Sequence, residues 1–64
     1  MTPDIDIWRA AHLLILEHAE EAELHAATMA DRFLGWGHID GYKEWLRIRR
    51  AIVELQAPPT GPAH

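Results

Sequence analysis

No cysteine occurs anywhere in this chain of 64 residues. At such a length a hydrophobic core alone leaves a surplus of only ~3–5 kcal/mol, and small chains add disulfides, a metal or a partner to it. Disulfides and thiolate chemistry are excluded here, so helix packing, self-association or a His and carboxylate metal site must do that work. The length also limits the chain to one domain.

Apolar residues make up 48% and charged residues 25%, the composition of an ordinary globular domain and not of a disordered one. The formal charge is −4 and the pI about 5.6, which argues against general nucleic-acid binding. The first residues, Met1 to Asp6, are acidic, whereas a secretory signal starts positive. The longest apolar run, Leu13-Leu14-Ile15-Leu16, is four residues and cannot span a bilayer. These features predict a cytoplasmic chain that does not engage a membrane.

Apolar spacing predicts an all-α domain over 1–56, with helices at about 3–18, 21–34 and 40–56, and a flexible Pro-rich tail over 57–64. In the first helix Thr2 is the expected cap, Pro3 suits the first helical position, and Asp4 and Asp6 complement the positive helix end. At 100° per residue Ile7, Trp8, Ala11, Leu14, Ile15 and His18 share one broad face, and Leu13 falls among the polar residues.

Ala19-Glu20-Glu21-Ala22 consists of good helix formers, and propensity alone would carry one helix on to Leu34. The apolar face shifts there, and Glu20, Glu21 and Glu23 cluster where a new helix would start, so a break near 19–21 is predicted. The second helix then turns Ala22, Ala26, Met29, Ala30 and Phe33 inward and Leu24 outward. Gly35-Trp36-Gly37-His38-Ile39 reads as a loop, with Gly35 as the helix cap and Trp36 folded back over the core. Asp40 is the expected cap of the third helix, whose inner stripe is Trp45, Ile48, Ile52 and Leu55 and whose flanking stripe is Tyr42, Leu46 and Val53. No segment alternates with period two. The expected fold is a small three-helix bundle around Trp8, Ile15, Met29, Phe33, Trp45, Ile48 and Ile52.

Three stretches taken together, Ile7-Trp8-Arg9-Ala10-Ala11, His18-Ala19-Glu20-Glu21-Ala22, and Trp45-Leu46-Arg47-Ile48 with Ala51-Ile52-Val53-Glu54-Leu55 after a Gly-containing turn, form a pattern over about 5–56. It resembles short helical proteins of alphaproteobacteria grouped in domain-of-unknown-function families. Those proteins typically place Gly after the His of the first turn, where this chain has Ala19, and Gly-Asp in the second turn, where it has Gly37-His38 with Asp40 later. The resemblance implies a helical hairpin plus a third helix. It implies no activity and no cofactor.

Five His occur, and His18, Glu21 and His25 are spaced to share a face of a continuous helix, a weak candidate set for a transition metal. The Glu-x-x-His and His-Glu-x-x-His patterns of established metal sites are absent, so edge packing or capping by His18 and a solvated boundary position for His25 are the preferred readings. Lys43, Arg47, Arg49 and Arg50 place four of the six basic residues on helix 40–56, as a nucleic-acid recognition helix would. Glu44 and Glu54 interrupt that patch, which favours a solvated face with ion pairs. There is no Ser, no Cys and no phosphate-binding Gly loop, so no catalytic constellation is present and no cofactor is expected. The sequence therefore points to a non-enzymatic helical protein that binds another protein or a second copy. The candidate interface residues are Trp36, Tyr42, Leu46, Arg49 and Val53, with Leu13 and Leu24 as further spare apolar side chains. A nucleic-acid-associated regulator using helix 40–56 is the alternative, and metal or small-ligand binding at His18, Glu21 and His25 the weaker one.

Overall fold

The computed structural model describes residues 2–58. Helix α1 spans Asp4–His18, a 3-10 turn follows over Ala19–Glu21, α2 spans Ala22–Gly35 and α3 spans Ile39–Gln56. The chain is all-α, with no strand among the described residues. The predicted break near 19–21 is a single 3-10 turn that joins α1 to α2 with no open loop.

At that turn Ala19 takes φ 52° and ψ −125°, its N–H donates to the Ile15 carbonyl, and the chain reverses. Helix α1 then lies along the second half of α3, with Arg47 reaching Thr2 and Asp4, and Leu55 beside Trp8, His12 and Leu13. Helix α2 runs antiparallel to α3, with Glu23 opposite Arg49 and Phe33 opposite Gly41. Both helices pack on α3, and the contact between α1 and α2 is the smallest of the three interhelical ones.

The core differs in kind from the expected one. Its buried apolar residues are Ile7, Ile48 and Ile52 with five alanines, Ala11, Ala22, Ala26, Ala30 and Ala51. Small residues let helix axes approach toward the short end of the ~8–10 Å range, so the large side chains are displaced to the edges of the contact. Ile15, Met29, Phe33 and Trp45 are half-buried there. Trp8 and Leu55, expected inside, are 39% and 48% exposed. The centre of each stripe is held by an alanine or isoleucine one turn away.

Three caps also differ from expectation. Pro3, not Thr2, is the N-cap of α1, and its carbonyl accepts from the Asp6 and Ile7 N–H groups. His38, not Asp40, caps α3: its Nδ1 accepts from the Gly41 N–H at 3.0 Å. Gly35 is the last residue of α2, and the residue at positive φ is Gly37, at 76°. The Gly37 N–H donates to the Leu34 carbonyl and the His38 N–H to the Phe33 carbonyl, the paired bonds of a Schellman termination. Helix α3 stops at Gln56, after which Ala57 is extended; positions 59–64 of the expected tail lie outside the described residues. Among the described residues no helix is long and apolar enough to cross a membrane.

Candidate interaction surface

The outer face of α3 carries Leu46 and Val53, 36% and 43% exposed, on either side of Arg49. With Arg50 these residues line one shallow groove. The spacing of seven from Leu46 to Val53 is two helical turns, so both project from the same side of the helix. Tyr42, one turn before Leu46, is half-buried and sits at the edge of that face. Arg49 has a carboxylate partner within the chain: Glu23 accepts from its Nε at 3.2 Å and its Nη2 at 3.0 Å. The guanidinium is thereby tied to α2 and held beside the groove, and does not lie free across it. Both side chains are nearly half exposed, at 47% and 44%, so the pair orients Arg49 more than it stabilises the fold.

Two more basic residues of α3, Arg47 and Arg50, also meet carboxylates. Arg47 donates to the Thr2 carbonyl at 2.9 Å and pairs with Asp4. Arg50 lies 3.6 Å from Glu54. Three of the four cations clustered on α3 therefore face carboxylates.

Trp36 is 69% exposed between Gly35 and Gly37, with its ring edge against Phe33 at a centroid distance of 5.2 Å. It does not close over the core as the sequence reading expected; the Schellman turn points it outward, away from the α1 contact. Leu24 and Leu13 are 67% and 58% exposed, on the outward faces assigned to them from periodicity.

His18 and His25 come together across the first turn, stacked with centroids 4.3 Å apart and planes 16° from parallel. His25 also meets the edge of Trp45 at 6.0 Å. Of the two roles expected for His18, it packs at the edge and makes no helix-end cap, whereas His25 is half-buried between two rings and not a solvated boundary residue. Glu21 stands exposed at the end of the turn. Among the described residues no group of three or more His, Asp or Glu is placed to hold a metal ion.

Sequence reasoning missed a second apolar area. Trp8, His12, Leu13 and Leu55 gather with Arg9 in an open groove where α1 meets the end of α3. The signal was present in the helical wheel: Trp8 lies about 60° from Ala11, at the edge of the inward face. No protein family, curated protein or solved structure matches the chain.

Proposed function

We propose that this chain is a non-enzymatic, cytoplasmic interaction module, a three-helix bundle that binds another protein or a second copy through the outer face of α3. Leu46 and Val53 supply the apolar contact, Tyr42 extends it, Arg49 borders it and Trp36 is a separate anchor at the far end. The observation that carries the reading is the inversion of side-chain size. Alanine fills most of the interior, while among the described residues eleven large apolar side chains, Trp36, Leu46 and Val53 included, are exposed. Apolar side chains gathered along one exposed groove, as Leu46 and Val53 are, mark a surface for another molecule to cover. The resemblance to the alphaproteobacterial helical proteins agrees with such a helical module and adds no activity to it.

The double variant Leu46→Glu/Val53→Glu tests the reading. Both positions are exposed, so the variant should keep parental helicity by circular dichroism and show weakened association in sedimentation velocity and in pull-down with intact-mass readout. Unchanged association overturns the assignment of this face. Nucleic-acid binding is the weaker alternative, because Arg47, Arg49 and Arg50 each meet a carboxylate. Salt-dependent binding of duplex DNA, lost on Arg49→Gln/Arg50→Gln, would establish that alternative instead.

A further inference from the structure

The turn at Ala19–Glu21 is made of residues that suit a straight helix better than the conformation they hold. Ala19 has φ 52° and ψ −125°, the geometry of the first central residue of a type II′ turn. Glycine normally fills that position, because a Cβ is crowded there. In the sequence His18-Ala19-Glu20-Glu21-Ala22-Glu23 no residue is a helix breaker, and Ala is the strongest helix former of all. The turn buries nothing: Ala19, Glu20 and Glu21 are all exposed. Among the described residues one side chain from α3 reaches its backbone, Gln56 Nε2 donating to the Ala19 carbonyl at 2.8 Å. The strain at Ala19 is therefore maintained from a distance, by the packing of α1 on α3.

The buried faces of α1 and α2 remain aligned if the turn is straightened. On one continuous helix Ile7, Ala11, Ala22 and Ala26 fall within about 100° of one another, and Ala11 and Ala22 are only about 20° apart. Such a helix over 4–35 carries these buried residues on one side along its whole length. Its first half can no longer fold back on its own α3, but it fits the α3 of another chain that has opened in the same manner.

We infer that this chain forms a domain-swapped dimer in which Ala19–Glu21 becomes helical and α1 of each copy occupies the place of α1 on the other copy's α3. The occupant of each vacated face is thus a second copy of this chain. The contacts of α1 with α3 are regained, including Arg47 with Thr2 and Asp4 and Ile7 against the Ile48 and Ile52 cluster, while both Ala19 residues leave the crowded region of φ and ψ. Short strained hinges favour this exchange over other modes of self-association. The stack of His18 on His25 belongs to the hairpin alone, since residues seven apart on a straight helix are separated by about 10.5 Å along its axis. The exchange uses the α1 to α3 interface and is separate from the outer face of α3 carrying Leu46 and Val53.

The absence of Cys makes the experiment direct. The variant Asp6→Cys/Asp31→Cys, at two exposed positions, is spin-labelled, diluted into unlabelled parent, and followed by sedimentation equilibrium and by electron–electron distance measurement. The dimer fraction should give an intrachain separation near the roughly 38 Å that 25 residues of straight helix span, and the monomer a clearly shorter one. Ala19→Gly, which relieves the turn and weakens the straight helix, should loosen dimerisation at least about a hundredfold with the hairpin fold intact. A parent chain that stays monomeric at about millimolar concentration, or an Ala19→Gly variant that dimerises like the parent, overturns the inference. A dimer whose intrachain distance stays short also overturns it, while leaving the Leu46 and Val53 face as the contact.

Discussion

Two turns reverse this chain, and they are built in opposite ways. At the α2 to α3 turn the residue at positive φ is Gly37, both Schellman bonds are made, and His38 caps the following helix. Gly41 then lets α3 pass against Phe33, since a Cβ there would strike the Phe33 ring and lie 2.7 Å from His38 Nδ1. At the α1 to α2 turn the residue at positive φ is Ala19, no side-chain cap is made, and every residue of the turn is exposed. The second reversal is specified by its own residues. The first is imposed by what the two helices do elsewhere, so it stores strain where the other stores none.

Substitutions that exchange these properties test the contrast. The largest effect is expected at Gly41→Val, where the branched side chain must enter space held by Phe33 and the His38 cap; a loss of ~3 kcal/mol approaches the whole stability of so small a domain. Thermal unfolding followed at 222 nm should show a drop well beyond 10 °C, and a parental midpoint would mean that α2 and α3 are not in close approach at Phe33. Next comes Gly37→Ala, which places a Cβ in the left-handed region and should cost about 1–2 kcal/mol by urea titration. The opposite sign is expected at the other turn. Ala19→Gly should gain about 1 kcal/mol, read as a rise of ~4–8 °C, because relief of the backbone outweighs the added freedom of the unfolded chain. If Ala19→Gly destabilises, the two turns are alike and the contrast fails. The smallest effect belongs to Arg49→Gln, which removes a half-exposed ion pair between α3 and the start of α2 and should change stability by under ~1 kcal/mol, less still in high salt.

Much of the helical layout was legible because apolar spacing and helix ends are local. Leu13 and Leu24 were placed outside, Ile48 and Ile52 inside, and the end of α3 before Ala57, each from periodicity or propensity within one element. What was misread depends on distance between helices. Periodicity marks a face but not how near the neighbouring axis comes, so it ranked Trp8, Trp45 and Leu55 above Ala11, Ala22 and Ala51 as core residues. The caps failed for a related reason: Thr2 and Asp40 are good caps in isolation, but the hydrogen bonds of α1 begin at the Pro3 carbonyl and the Schellman turn brings His38 to the Gly41 N–H. Of the candidate site, the exposure of Leu46 and Val53 was readable and the Arg49 to Glu23 pair was not, since it joins two helices whose packing had still to be determined.

An interior of alanine also sets which mutations the chain can accept. At Ala11, Ala22, Ala26, Ala30 and Ala51 only glycine is smaller, so nearly every single-residue change available to these positions adds atoms to a closed space. Libraries randomised at those five sites should return almost nothing but Ala, Gly and Ser, whereas Leu13, Leu24 and Leu16 on the outside should accept most side chains. The positions that contribute least hydrophobic area are then the least replaceable, and their size, more than their polarity, is what selection at each of them would read.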